Sequence, residues 1–309
     1  MAQPPVITKL VEKFHKRTPI RAKSLLITLF GDVVSQHGET VWLGSLVSAL
    51  GTLGVDERLV RTSVFRLVKD GWLVSEKIGR CSYYRFSDYG RREYERAARR
   101  IYALEDTSWN GNWIILTTID VDESVREEFR RSLFWQGFRN LSPGTYAKPG
   151  GGRRALLEVL KEFDIEDKVL LMQASTDMVL GQSTVAKFVE QAWHLEDLAE
   201  SYRQLMRRSQ PLLRWLETGK TLTPEDAFIA RLLLVHDYRR ILLNDTALPE
   251  ELLPRAWHGA RAQSLVGNLY RRLTEQSCEY ICTHMQSTAG PLTAAAPGYA
   301  SRFASILPN

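Results

Sequence analysis

The chain has 309 residues, 44% of them hydrophobic, enough for two or three domains with real cores. It has no run of about 18 apolar residues to cross a membrane, no signal-peptide apolar segment near MAQPPVITKLVEKFHKR, and three cysteines without a paired framework, so it reads as a cytoplasmic protein. The net charge of +5 is unevenly placed: residues 1–105 hold 18 Lys+Arg against 11 Asp+Glu, and residues 106–309 hold 23 against 25. A basic excess confined to one segment is the electrostatic footprint of a nucleic-acid-binding domain carried beside other domains.

Residues 1–22 are polar, hold three prolines and are expected to be flexible. Residues 23–105 read as a winged helix-turn-helix with a linker helix. A first helix spans about Ala22 to Gln36, and Val41-Trp42-Leu43 is a short strand pairing a wing. The second helix covers about Leu43 to Leu50, and Gly51 to Val55 makes the turn. In the run VDERLVRTSVFRLVKDGWL, Val60, Val64, Leu67 and Val68 form one apolar stripe, and Arg58, Arg61, Thr62, Arg66 and Lys69 lie on the other face. Asp56 stands at the N-cap and Asp70-Gly71 ends the helix. A hairpin follows, turning at Gly79-Arg80 and returning through Cys81 to Phe86, with Trp72 packing its base. Ser87-Asp88 caps a helix from about Tyr89 to Leu104 bearing Arg91, Arg92, Arg96, Arg99 and Arg100. That helix is either a solvated linker or a surface along DNA or at a dimer seam.

Ser108 to Asn112 breaks the pattern and opens a second domain, residues 106–178. Strand Trp113–Ile119, helix Ser124–Gly137, strands Phe138–Leu141 and Thr145–Lys148, helix Arg153–Phe163 and strand Lys168–Ala174 follow in the ferredoxin-like order. No Gly-rich phosphate loop follows any strand; Gly150-Gly151-Gly152 leads to Arg153-Arg154, not to Lys-Ser/Thr. Residues 179–285 read as an all-α C-terminal domain with one long helix from about Val185 to Leu216, another over Ala227–Asn244 begun by Thr223-Pro224-Glu225-Asp226, and a third over Ala256–Met285. Residues 286–309, rich in Ala, Pro, Gly and Ser, are expected to be a mobile tail. The fold class is therefore α+β multidomain.

For DNA, the candidate residues are Arg58, Arg61, Thr62 and Arg66 on the helix and Arg80 in the wing. Arginine reads guanine bidentately and neutralises phosphate. An amphipathic helix with a solvated basic face shares part of this pattern; the whole ordered series favours DNA. No catalytic residue is assigned. His15, His37, His194, His236, His258 and His284 are scattered, and neither an HExxH motif nor a nucleophile elbow is present. Cys278 and Cys282 lack a second ligand pair, so no metal site is expected. The alternative reading is a metal-dependent nuclease on the ferredoxin-like domain, using Asp120 and Asp122 at the end of the first strand.

The segments GDVVSQHGETVWLGSLVSALGTLGVDERLVRTSVFRLVKDGWL, IGRCSYYRFSDYG, WNGNWIIL, LFWQGF, HDYRR and LPEELLPRAW together resemble the PaaX family of transcriptional repressors, over about residues 24 to 275. The resemblance implies repression of phenylacetate catabolic genes, binding of inverted-repeat operator DNA as a homodimer, and release by phenylacetyl-CoA or a related aryl-acyl-CoA. It implies no cofactor and does not place the effector pocket. An acyl-CoA needs cations for phosphate and an apolar slot for its ring. Arg239 and Arg240 with His236 and Tyr238 are candidates for the first, and Trp135, Trp193, His194 and Trp257 for aromatic walls. Each also has an ordinary reading, as core aromatic or ion-pair partner.

Overall fold

The structure is a computed structural model describing residues 3–17, 19–102, 109–176, 178–296, 299, 302 and 303; the side chains of Arg96, Ala97, Arg99 and residues 178–182 lie outside the description. Helix α1 (Pro5–His15) leads to α2 (Ala22–Asp32), a 3-10 turn (Val34–Gln36), β1 (Val41–Trp42), α3 (Leu43–Gly51), α4 (Glu57–Lys69), β2 (Leu73–Ile78), β3 (Cys81–Phe86) and α5 (Asp88–Tyr102). Next come β4 (Asn112–Thr118), α6 (Glu123–Trp135), β5 (Arg139–Ser142), β6 (Thr145–Pro149), α7 (Arg153–Glu162), β7 (Val169–Ser175) and α8 (Met178–Ala192). The chain continues through α9 (Leu195–Glu217), α10 (Pro224–Leu242), a second 3-10 turn (Glu250–Leu252), α11 (His258–His284), β8 (Gln286–Ser287) and β9 (Gly290–Pro291). These elements form two compact units, one of residues 1–104, 202–243 and 258–309, the other of residues 105–201 and 244–257. The helices expected as one C-terminal domain thus divide between the two units.

In the first unit α2 and α10 are buried almost all round, as the apolar run AKSLLITLF and the run AFIARLLLV require. Thr223 caps α10 by accepting from the Asp226 backbone N–H at 3.1 Å, with Pro224 in the first turn where its missing N–H costs nothing. The sheet order is β1-β3-β2, with Val41 opposite Tyr84 and Leu73 opposite Phe86. The short strand expected at Val41 therefore pairs the returning arm of the hairpin.

Asp32 is fully buried at the centre of this unit. Its carboxylate pairs with Arg231 at 2.7 Å and Arg302 at 2.9 Å, and accepts from the Tyr102 and Tyr270 hydroxyls at 2.7 and 2.9 Å. Burial alone would raise this carboxyl; the two guanidiniums and two hydroxyls outweigh it and hold it below the usual carboxylate range. Two cations face one carboxylate here, and aromatic faces take part of the excess charge. The Arg231 guanidinium lies 4.7 Å from the Tyr270 ring centre and 4.8 Å from that of Tyr299; Arg302 lies 4.0 Å from that of Tyr102.

Parts of both chain ends expected to be flexible form ordered elements, while residues 1, 2, 18, 297, 298, 300, 301 and 304–309 lie outside the described residues. Residues Pro5 to His15 form a helix burying Ile7 and Phe14, and Arg17 makes a two-pronged ion pair with Asp237 of α10. The stretch from Gln286 onward holds the β8–β9 hairpin, buries Leu292, Tyr299 and Phe303, and sends Arg302 to Asp32. Composition averages over the stretch and misses the few anchors that matter: one aromatic at Tyr299 and the Arg302-Phe303 pair.

The second unit is a four-stranded antiparallel sheet in the order β5-β6-β4-β7. Alternation along β4 sends Ile114 and Leu116 to one face and Trp113 and Ile115 to the other. The first face packs on Phe129 and Leu133 of α6 and Leu156 and Leu160 of α7. The second packs on Val189 and Trp193, with Leu248 and Leu252 from the later loop. The helix expected to run unbroken from Val185 to Leu216 is two helices, because His194 adopts φ +50°. The break turns Trp193 into the aromatic cluster, 5.6 Å from Phe188 and 6.3 Å from Trp113 between ring centres.

Candidate nucleic-acid interface

The Asp56 side chain starts α4 by accepting from the Leu59 backbone N–H at 3.2 Å, satisfying one of the free donors of the first turn. Val60, Ser63, Val64 and Leu67 are buried against α2 and α3. The opposite side of the same helix presents Arg58, Arg61, Thr62, Phe65, Arg66 and Lys69, all exposed. Arg61 donates to the Glu57 carboxylate at 2.7 Å, so its guanidinium is held along the helix. Gly71, at φ +74°, ends the helix and lets the chain turn into β2.

The β2–β3 hairpin follows this helix. Ile78 faces Cys81 across a two-residue turn in which Gly79, at φ +60°, takes the first central position, and Arg80 stands exposed at the tip. Its base is fastened by Ser87, whose hydroxyl bonds to the carbonyl oxygens of Gly71 and Trp72 and accepts from the Gly90 backbone N–H at 2.9 Å. Trp72 packs edge-on to Tyr89, which gives it the structural role expected. Beside α4 a cleft of about 410 Å³ opens toward the start of α2, lined by Ile20, Arg21, Lys23, Ile27, Leu59 and Arg66. Its basic residues can follow a phosphate strand. On α5, Arg91 is committed to Glu39 by bonds of 2.6 and 2.9 Å, while the side chains of Arg96 and Arg99 lie outside the described residues.

Three family profiles match in chain order: PaaX-like protein over residues 21–90, PaaX protein central Cas2-like domain over residues 106–187, and PaaX-like protein C-terminal domain over residues 193–283. The chain is also 37% identical over 289 residues to the transcriptional repressor PaaX of Escherichia coli (strain K12), covering 93% of this chain and 92% of that one. The chain belongs to the PaaX family. A solved structure of the uncharacterized protein Rv0674 from Mycobacterium tuberculosis shares the fold, with a TM-score of 0.50, 23% identity and coverage of 81% of this chain and 94% of that one. The exposed basic face of α4 and the hairpin both lie inside the first PaaX-like segment.

The eight residues considered for an effector are placed unevenly in this PaaX-family chain. In the first unit, His236 and Tyr238 are core groups of α10. Burial presses the His236 imidazole down to about 4, and its Nδ1 lies 3.3 Å from the Thr28 hydroxyl. Arg239 is buried with weak bonds to Ser24, its Nε has no partner, and burial lowers its pKa; Arg240 is half-buried. In the second unit, Trp193 and Trp257 join one core cluster, His194 is exposed at the helix break, and Trp135 is exposed on α6. His236, Tyr238 and Trp193 therefore have structural work that their residue types alone did not reveal.

The nuclease alternative gains nothing from the geometry. Asp120 and Asp122 are exposed after β4, Asp122 lies 3.8 Å from the Lys168 ammonium, and no group of three metal-ligating side chains exists among the described residues. The matched relative is a transcriptional repressor, a regulator and not an enzyme. Among the described residues, no helix is long and apolar enough to cross a membrane. One surface residue escaped the sequence argument. Phe65 falls out of phase with the apolar stripe, and that mismatch was the available signal.

Proposed function

We propose that the chain is a winged helix-turn-helix repressor that binds inverted-repeat operator DNA as a homodimer and releases it on binding phenylacetyl-CoA or a related aryl-acyl-CoA. In this reading α2, α3 and α4 with the β2–β3 hairpin are the winged helix, the second unit is ferredoxin-like, and phenylacetate catabolic genes are the targets. The observation that carries it is the outward face of α4, where Arg58, Arg61, Thr62 and Arg66 lie exposed on a helix whose other side is core. Such a helix fits the major groove, and Arg80 at the hairpin tip fits a phosphate or the minor groove. The cytoplasm is the compartment this role requires. Among the effector candidates, Arg239 suits a thioester's anionic part best, being a buried cation with an unpaired Nε.

Fluorescence anisotropy with a labelled duplex from upstream of phenylacetate catabolic genes tests the reading. Tight binding that phenylacetyl-CoA weakens and free phenylacetate does not is expected. Binding indifferent to the thioester removes the effector; no sequence-preferring binding removes the repressor.

A further inference from the structure

We propose that Phe65 reads a thymine 5-methyl group in the major groove, making it the base-discriminating apolar residue of α4; this deepens the operator-binding reading and rests on it.

Phe65 is 69% exposed, whereas Val60, Val64 and Leu67 of the same helix are at most 1% exposed. With about 100° between successive residues, Phe65 lies within about 20° of the direction of Arg58 and about 40° from that of Lys69, between Arg61 and Thr62. It points away from the core, so packing within the first unit does not account for it.

Its neighbours select the partner. Arg58, Arg61, Thr62, Arg66 and Lys69 surround it, all exposed. An apolar partner would have to strip water from those cations without compensation. A DNA duplex offers both chemistries at the spacing required: phosphate on either side of the groove, and on its floor an apolar methyl wherever thymine occurs. Helices lying in the major groove read base edges from positions i, i+3, i+4 and i+7. Counted from Arg58, those positions are Arg61, Thr62 and Phe65. The first three are polar and suit donors and acceptors on base edges. The fourth has no hydrogen-bonding group, and the 5-methyl of thymine is the one apolar feature the groove displays.

The experiment uses the full-length protein. A duplex is selected from a random pool, and each thymine in it is then replaced by uracil, which removes only the methyl. At one thymine in each half-site the wild type should lose about fourfold in affinity, the value of one buried methyl. Phe65→Ala should bind the selected duplex more weakly and be indifferent to uracil at that position, whereas Phe65→Leu should keep the sensitivity. Because the side chain is exposed, the Phe65→Ala melting temperature should match wild type. If Phe65→Ala keeps the same thymine preference, or no thymine is methyl-sensitive, the assignment falls while operator binding stands. A dimer-to-monomer shift in Phe65→Ala with unchanged base preference would assign the ring to a protein contact instead. Selection of no sequence at all would overturn both readings.

Discussion

In the proposed interface Arg61 serves two states. Free of DNA it is tied to Glu57 at 2.7 Å, an exposed i,i+4 pair of the kind that contributes little to stability. Moving it to a base edge therefore costs little, and a bidentate contact with guanine returns more. Replacing Arg61 with Ala should cost about 1–3 kcal/mol on the operator at fixed salt, with the melting temperature nearly unchanged. An unaltered affinity in that titration would remove Arg61 from the interface. His236 is the opposite kind of residue, a titratable group whose pKa burial presses down to about 4, leaving it neutral near pH 7. The unfolded chain binds this proton from about 6.5 downward, so the stability it supports is complete above that pH and lost progressively as pH falls toward 4. His37, also lowered by burial, acts in the same direction. Urea midpoints measured between pH 7 and 4.5 should fall with pH, and His236→Asn should flatten that fall; an unchanged slope would show that His236 is not the titrating group.

Among the elements, the hairpin is useful only if its base holds it against α4. Gly90 enforces this, since a Cβ there would meet the Trp72 carbonyl oxygen at 2.2 Å, a backbone atom with no rotamer to escape into. Gly90→Ala should therefore destabilise the protein by about 1–3 kcal/mol and weaken operator binding together, as read by thermal melting and anisotropy. Full retention of both would show that α5 can shift away from the hairpin freely. Arg80 sits at the tip, where loss of one phosphate contact should act on electrostatics alone. Arg80→Ala should weaken binding to all duplexes alike and reduce the slope of log K against log salt by about 1. A loss confined to the selected sequence would instead make Arg80 a base reader.

For the molecule as a whole, Asp32 is the point where distant parts of the chain meet: α2, α5, α10, α11 and residue 302 all reach one carboxylate or its partners. Removing its charge leaves Arg231 and Arg302 buried without a counter-ion, the expensive case for an ion pair. Asp32→Asn should cost about 3–5 kcal/mol in urea unfolding, and a loss below about 1 kcal/mol would mean that the aromatic faces alone hold both guanidiniums.

Much of this was legible without coordinates. The α4 stripe, its Asp56 cap, the Gly79 turn and the β4-to-β7 element order follow from periods of 3.6 and 2 and from turn chemistry, which are properties of neighbouring residues. The exposed candidates Arg58, Arg61, Thr62, Arg66 and Arg80 were readable for the same reason, because an exposed side chain's direction depends only on its own helix or turn. Tertiary structure decided what depends on partners far away in sequence. It ordered Pro5–His15 by giving Arg17 the Asp237 carboxylate, held Arg302 at Asp32 across 270 residues, and broke the helix at His194 so that Trp193 could join its cluster. Burial and ion pairing are non-local, so no window of sequence contains both members of these pairs. Local pattern determined the exposed basic face proposed to meet DNA; long-range packing determined which arginines, histidines and tryptophans remain for anything else.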